Sequence, residues 1–197
     1  MAFRKLDNID EKIIEATIAL GASTQGGRGF ATKDIAERCH ISEYVIFKHF
    51  GNKQNLLALA DKKVGEMIAG KAANIASKTQ DAQEFSLELL DWLIKHPDIA
   101  FFSLNYGHGI PHASETILPK DDSVNEKWIA KGKEILNSPK NISDLDYLLS
   151  WQFLLRNVLY FTGFILLKNI DDTPEERTKA IRILADGAYL TRRPGHE

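Results

Sequence analysis

Seven basic side chains lie between Gly26 and Lys63, and the chemistry they offer is the binding of phosphate groups. Four acidic residues share this stretch, so its formal charge is +3, while the rest of the chain carries −5. A weakly basic end on an acidic body favours contact with DNA through that end. Charges of this number are also common on the solvated face of an ordinary domain, so charge alone does not establish DNA binding.

Two very short helices are predicted within this stretch, around residues 33–39 and 43–50. Thr32 is placed to cap the first helix, and Ser42 is placed to cap the second. Helices of this length do not persist alone, so their apolar faces must dock on a third helix. Apolar residues between Ile9 and Leu20 supply that surface. The pattern predicts a helix-turn-helix unit whose second short helix can enter the major groove of DNA.

A specific set of spacings accompanies this pattern. The matching residues are Gly29-Phe30, Asp34-Ile35-Ala36, Ile41-Ser42, Phe47-Lys48-His49-Phe50, Lys53 and Leu56-Leu57. Through them, the segment Phe30–Lys53 closely resembles the DNA-binding motif of the TetR (tetracycline-repressor-like) family of bacterial transcriptional regulators. The resemblance implies a DNA-binding domain over residues 1–52 and a helical effector-binding and dimerisation domain over residues 53–197.

Four residues, at three places in the motif, depart from the family pattern. Cys39-His40 stand at the turn where the family commonly has Ala-Gly, so we expect either a strained left-handed residue or a turn of different shape. Phe47 replaces a common tyrosine and has no hydroxyl to offer a phosphate. Val45 replaces a frequent threonine or serine, and its methyl groups suit contact with a thymine methyl.

The resemblance also implies roles for individual side chains in DNA binding. The residues expected at the phosphate backbone are Thr32, Lys33, Ser42, His49 and Lys53. The candidates for base edges are Glu43, Tyr44, Val45 and Lys48, and Phe47 completes the predicted set. Lys48 is expected to reach a guanine acceptor, and Glu43 a cytosine amine. For Tyr44, packing or a phosphate contact is an equal alternative.

The remainder of the chain predicts an all-α fold. The 197 residues are 44% hydrophobic and 26% charged, the balance of a protein that buries a core. Sustained two-residue alternation is absent, and Gly and Pro separate helical segments. Further helices are predicted over residues 53–78, 81–95, 124–137, from 143 onward, and from 174 to about 190, with a loop over 107–123. A single cysteine and the lack of a secretory signal lead us to expect a cytoplasmic protein.

The stretch from Tyr147 to Leu167 contains one formal charge, Arg156, and is long enough to cross a bilayer. However, an arginine near the middle of a span costs about 2.5–3.5 kcal/mol on insertion. We therefore predict a helix buried in protein and no membrane partner.

This helix carries two apolar stripes, and a helix apolar on two sides needs two partners. The stripes are Tyr147, Trp151, Leu154, Val158, Phe161 and Ile165, and then Leu148, Leu155, Leu159 and Leu166. The last helix offers small residues for close approach, namely Ala180, Ala185, Gly187 and Ala188. These features predict a four-helix interface in a homodimer. One large monomeric core is the alternative, and the resemblance favours the dimer.

A small-molecule pocket is predicted among aromatic residues with a few polar neighbours. The candidates are Trp92, Phe102, Tyr106, Trp128, Trp151, Arg156 and Asn157. Each of them is also compatible with simple core packing. Arg156 is expected to have an acidic partner or an anionic ligand, because it lies on an apolar helix.

Signals for catalysis, metals or cofactors are weak. Gly26–Gly29 lacks the Gly-Lys-Ser/Thr ending of a phosphate-binding loop. His108, His112 and Glu115 do not share a helical face, so we expect no metal site there. A nucleophile elbow and a His-Glu-x-x-His motif are absent from the sequence.

The resemblance therefore implies a regulator that binds a near-palindromic DNA operator as a homodimer. It is expected to be a repressor that a small-molecule effector releases from DNA, with no cofactor and no enzymatic activity. One alternative is a regulator controlled by a protein partner. The other is a small-molecule enzyme or binding protein with an incidental helix-turn-helix.

Overall fold

A computed structural model describes residues 8–24, 29–79, 81–106, 133–135 and 144–190, and their regular structure is helical throughout. The helices are α1 (Asn8–Ser23), α2 (Thr32–Cys39), α3 (Glu43–Phe50), α4 (Lys53–Ala76), α5 (Ala82–Lys95), α6 (Pro97–Tyr106), α7 (Asp144–Leu166) and α8 (Pro174–Leu190). The predicted all-α fold is confirmed over these ranges. Residues 133–135 form a helical turn, whereas the predicted loop 107–123 lies outside the described residues.

An N-terminal core holds the two short helices in place. Ile13 of α1, Ile35 of α2, Ile46 of α3 and Leu56 of α4 are all fully buried in it. Each short helix therefore gives its inner face to a surface made by two longer helices. This shared core agrees with the prediction that α2 and α3 dock on α1.

A second core fills the helical body. Trp151 of α7 lies against Phe85 of α5, with ring centroids 4.9 Å apart, and Ile181 of α8 is fully buried beside them. The far half of α4 enters this core through Ile75, whereas Leu56 belongs to the N-terminal core. One continuous helix therefore contributes to both cores.

Helix α6 joins the body to the N-terminal core by lying across α1. A Cβ built on Gly21 would lie 2.5 Å from Cδ2 of Phe102, so only a glycine allows this approach without a shift. The Asn105 side chain donates to the Gly21 carbonyl at 3.0 Å, and the Tyr106 ring meets Phe30 edge-on at 5.7 Å. The end of α6 thus fixes both the end of α1 and the residues just before α2.

Side-chain caps and an ion-pair cluster fix the start of α8. The Thr173 hydroxyl accepts from the Glu176 N–H at 3.2 Å and so caps the helix beside its predicted start at residue 174. Arg177 donates to the carboxylates of Asp172 and Asp91, and Asp91 belongs to α5. The hydrogen bond from Arg177 lowers the pKa of Asp172 below its ordinary value. This cluster therefore ties the first turn of α8 to α5.

The outer face of α7 differs from the prediction. Leu155 is buried, and Leu159 and Leu166 pack against the body core, so the second predicted stripe is largely covered by the chain itself. A third row remains open to solvent and consists of Phe153, Arg156, Tyr160, Phe164 and Leu167. Periodicity located the apolar positions but did not show which of them neighbouring helices cover.

No helix in the described part of the chain is sufficiently long and apolar to span a membrane.

Candidate nucleic-acid interface

Helix α3 presents one face to the protein and another to solvent. Ile46 and Phe50 are buried, and Gly51 ends the helix at φ 77°, a conformation that suits glycine. Tyr44 is 72% exposed and Phe47 45% exposed, and the side chain of Lys48 is also exposed. The ring of Tyr44 therefore lies outside the core. Packing within one chain, which was one alternative role for this residue, is excluded.

Ser42 occupies the N-cap position of α3, as predicted, with extended backbone angles of φ −86° and ψ 153°. Its hydroxyl makes no capping hydrogen bond to the described residues, and the residue is exposed. The Ser42 hydroxyl is therefore available beside the first turn of α3. Such a helix start is suited to an anionic oxygen.

Thr32 was predicted to cap α2, and this prediction is wrong. Ala31 is the N-cap, with φ −93° and ψ 163°, and Thr32 is already the first helical residue. The Asp34 carboxylate accepts from the Ala31 N–H at 2.6 Å and so supports the helix start. The Thr32 hydroxyl instead donates to the Glu43 carboxylate across the turn. Two predicted DNA-binding side chains thus hold each other in place.

The two predicted phosphate lysines have different surroundings. The Lys53 ammonium donates to the Phe30 carbonyl and lies 4.4 Å from the centroid of the Phe30 ring. Lys33 pairs with Glu37 at 3.7 Å, and both side chains are largely exposed. An exposed pair of this type contributes little and is readily exchanged for another anion.

His49 is held by a buried carboxylate of α1. Its Nδ1 lies 2.6 Å from Oδ1 of Asp10, whose side chain is only 3% exposed. The His49 side chain itself is 13% exposed. Sequence reasoning placed His49 at the DNA backbone but missed Asp10, which is 39 residues away and belongs to no local pattern.

The turn between α2 and α3 uses a left-handed residue that is not glycine. His40 adopts φ 56° and ψ 46°, and its N–H donates to the Glu37 carbonyl at 3.1 Å. Beside it, Cys39 is buried, and burial raises the pKa of its thiol. The Lys12 ammonium donates to the Cys39 carbonyl at 3.0 Å and so ties the turn to α1. Of the two alternatives for this turn, the structure shows the left-handed residue with a side chain.

The candidate pocket residues fall in several separate places. Phe102 and Tyr106 stack on each other at 5.3 Å within the N-terminal core, whereas Trp151 belongs to the body core. Trp92 is partly buried and packs against both cores, and Trp128 lies outside the described residues.

The polar candidates lie toward the surface of α7. The Asn157 amide donates to the Phe153 carbonyl of its own helix at 2.7 Å. Arg156 was expected to have an acidic partner or an anionic ligand, but its side chain is exposed to solvent. The expectation failed because α7 turns this position away from the body.

A surface groove of about 430 Å³ on α8 is lined by Pro174, Glu175, Thr178, Lys179, Arg182 and Ile183, none of which was a candidate. Within the described ranges no three His, Cys, Asp or Glu side chains are grouped to hold a metal ion. His108, His112 and Glu115 lie outside those ranges.

Comparisons with known proteins agree with this geometry. Residues 13–60 match the model of a family described as "Bacterial regulatory proteins, tetR family". The matched range begins within α1 and ends within α4, so it contains the whole helix-turn-helix unit. No curated protein sequence matches the chain.

Solved structures of similar fold cover nearly the whole chain. A TetR family transcription regulator from Marinobacter aquaeolei VT8 is 16% identical with a TM-score of 0.60, over 90% of this chain and 94% of that one. A regulator of the same family from Shewanella sp. PV-4 is 20% identical with a TM-score of 0.59, over 92% and 98%. The transcriptional regulator FadR from Bacillus subtilis, in complex with stearoyl-CoA, is 14% identical with a TM-score of 0.60, over 90% and 98%.

At these identities the structural likeness shows a shared fold, while the family match concerns the DNA-binding unit itself. The geometry of α3 and the family match support the same conclusion. Helix α3 exposes one face to solvent and buries the other against the rest of the domain. Residues 13–60 therefore form a helix-turn-helix unit that matches the tetR family of bacterial regulatory proteins, and the described remainder of the chain is helical.

Proposed function

We propose that this protein is a dimeric transcriptional repressor that leaves a near-palindromic operator when a small molecule binds its helical body. The observation that carries the proposal is the outer face of α3. Ser42, Tyr44 and Lys48 are exposed there, while Ile46 and Phe50 fix the helix to the rest of the domain. A rigid short helix with an exposed polar face is what readout in the major groove requires.

The proposed DNA contacts follow from these exposures. Ser42 and Lys33 lie at the starts of α3 and α2, where hydroxyl, ammonium and backbone N–H groups can meet the phosphates. Lys48 forms no ion pair with the residues that the structure describes, so its ammonium is available for a guanine. Glu43 is held by Thr32, which fixes its carboxylate before DNA arrives.

The dimer is supported by the open row on α7. Phe153 is 40% exposed, Tyr160 53% and Phe164 52%, and Ile183 of the adjacent α8 is 62% exposed. Exposed aromatic and aliphatic side chains grouped on two long helices mark a protein interface. The Phe153 ring also approaches Gly187 closely, since a Cβ there would lie 3.1 Å from Cε1. We therefore place the two-fold axis at α7 and α8, with residues 53–197 as the dimerisation and effector domain and residues 1–52 as the reading domain.

The class of effector is suggested by the neighbours. The Bacillus subtilis FadR structure contains stearoyl-CoA, and a neighbour from Bacillus halodurans is described as a fatty acid degradation regulator. A long-chain acyl-CoA is therefore the first effector to test.

Selection of bound duplexes from a random DNA library tests the proposed function. We expect a near-palindromic site whose half-sites lie about one helical turn, or a multiple of it, apart. Lys48→Ala should cost about 1–3 kcal/mol and relax the preference at one position of each half-site. Lys95→Ala, an exposed lysine at the end of α5, is the matched control and should leave binding unchanged.

Two results would contradict the proposal. One is a purified protein that retains no duplex even at low ionic strength, where phosphate contacts are strongest. The other is a selected site without two-fold symmetry. Release of the selected duplex by stearoyl-CoA would support the effector, whereas stable binding in its presence would favour control by a protein partner.

A further inference from the structure

The Asp10–His49 pair joins two polar side chains by a hydrogen bond, and that bond affects more than the packing of the reading domain. Asp10 lies in the first turn of α1 and is 2% exposed, while His49 lies in the last turn of α3. Their side chains meet at 2.6 Å between Oδ1 and Nδ1. A carboxylate accepts hydrogen bonds, so the ring must carry its proton on Nδ1 in this contact.

This bond determines what the other ring nitrogen can do. In a neutral imidazole with a proton on Nδ1, Nε2 has only a lone pair and accepts hydrogen bonds. A DNA phosphate oxygen also accepts hydrogen bonds, so it cannot pair with that nitrogen. A contact between Nε2 and a phosphate therefore requires a second proton on the ring, taken from solvent, which makes it an imidazolium.

The charged groups around His49 allow this second proton. Among the described residues, the charged group in contact with the ring is Asp10 of α1. From α2, the Thr32 hydroxyl engages Glu43, and from α4, the Lys53 ammonium lies on Phe30. On α3 itself, Lys48 is exposed and the Phe50 ring lies 6.3 Å from the imidazole. A carboxylate on one side and a phosphate on the other both stabilise the imidazolium.

We propose that Asp10 is a positioning residue of the DNA interface and that operator binding takes up a proton at His49. The inference rests on the proposed function, because it needs a DNA phosphate near α3. Asp10 fixes the ring orientation through Nδ1 and presents Nε2 to the phosphate. By linkage, DNA affinity then rises as the pH falls, over the range in which the DNA-bound protein carries the second proton and the DNA-free protein does not.

The test measures the Kd of a fluorescent duplex, taken from the library selection, between pH 6 and pH 8 at constant ionic strength. Uptake of one proton weakens binding by up to about tenfold per pH unit as the pH rises. We expect His49→Gln to flatten this slope, because its amide takes up no proton. We expect Asp10→Asn to weaken binding at pH 6 and to flatten the slope as well.

A matched control separates positioning from net charge. Glu11→Gln removes the same charge from the same turn of α1, but Glu11 is exposed. Removing an anion near DNA should strengthen binding slightly, and salt should screen the effect. Positioning therefore predicts opposite signs for Asp10→Asn and Glu11→Gln, whereas a purely electrostatic role predicts the same sign.

A DNA-free measurement keeps the inference testable if Asp10→Asn fails to fold. Nitrogen-15 spectra of the imidazoles in the wild-type protein at pH 8 should show His49 with its proton on Nδ1. A proton on Nε2 would overturn the proposal, and so would equal pH slopes in wild type, Asp10→Asn and His49→Gln. If wild-type protein binds no duplex, the proposed function fails as well, and the two failures are thereby distinguished.

Discussion

The polar side chains of the reading domain divide into those held by protein and those open to solvent. Thr32 with Glu43, and His49 with Asp10, are already oriented by hydrogen bonds. Ser42 is exposed and without a capping bond among the described residues. Oriented groups lose little side-chain entropy on binding DNA, whereas free ones must be ordered by it.

At His40, the left-handed backbone should cost stability. A non-glycine residue in this conformation costs about 1–2 kcal/mol, and glycine removes the steric part of that cost. We expect His40→Gly to raise the free energy of unfolding by up to about 1 kcal/mol in urea denaturation. Lys168→Gly, the other described non-glycine residue with positive φ, should act in the same direction.

Glu37→Gly, an exposed change inside α2, is the control and should destabilise by about 1 kcal/mol. A destabilised His40→Gly variant would show that the imidazole makes a contact that outweighs the backbone cost.

The positions of α2 and α3 were predictable from sequence, but the partners of their side chains were not. Residue type and spacing over 30–53 located α2, α3 and their outer faces. The contacts of Lys53 with Phe30 and of His49 with Asp10 join positions 23 and 39 residues apart, which tertiary packing alone brings together.

At the scale of elements, α6 is the helix whose position depends most on one residue. Gly21 leaves room for Phe102 and Tyr106 to lie on α1. Gly21→Ala should lower the free energy of unfolding by about 1–3 kcal/mol, because the added methyl group forces these rings to move. Gly70→Ala is the matched control on α4, where nothing lies within 4 Å, and should stabilise by up to about 1 kcal/mol.

Chemical denaturation of both variants checks this prediction. If Gly21→Ala stabilised the protein as much as Gly70→Ala, α6 would accommodate the methyl group without loss, and the prediction would be wrong.

The ion-pair cluster at the start of α8 should make stability depend on pH. Arg177 lowers the pKa of Asp172 below its ordinary 3.8, so the pair stabilises the fold above about pH 5. This contribution is lost as the pH falls below 3.8 and the carboxylate becomes protonated. We expect Arg177→Gln to cost less than about 1 kcal/mol at pH 7, since the groups are partly exposed.

Urea denaturation at pH 7, 5 and 3.5 measures this difference. The gap between wild type and Arg177→Gln should be constant at the two higher values and smaller at the lowest. Arg182→Gln, an exposed change on the same helix, should show no such trend. A gap that widens at low pH would contradict the assignment.

The starts of α5 and α8 were predictable from sequence, but the exposed face of α7 was not. Asp81 and Thr173 accept hydrogen bonds from the first turns of α5 and α8, at or beside the predicted helix starts. The apolar period of α7 allows several inner faces, and only the positions of α5 and α8 decide between them.

At the scale of the whole molecule, two cores share α4 and α6, and a band of apolar side chains remains open on α7 and α8. Phe164→Glu should convert the proposed dimer to a monomer, because two copies would bring like charges into a desolvated contact. Light scattering after size-exclusion chromatography measures the mass of each species.

Met67→Glu is the control for this experiment, because Met67 is 41% exposed on α4, away from that band. It should leave the mass unchanged. A wild-type protein with the mass of one chain would contradict the proposed dimer, whatever the variants show.

Cys39 is the one cysteine of the sequence, and it is buried where α2 ends. A thiol with a raised pKa that is closed to solvent reacts with alkylating reagents only when its surroundings open. The rate of its alkylation in the native protein therefore depends on how often the reading domain opens locally. Added DNA should slow that reaction. The alkylation rate of Cys39 therefore measures local opening of the reading domain without any engineered residue.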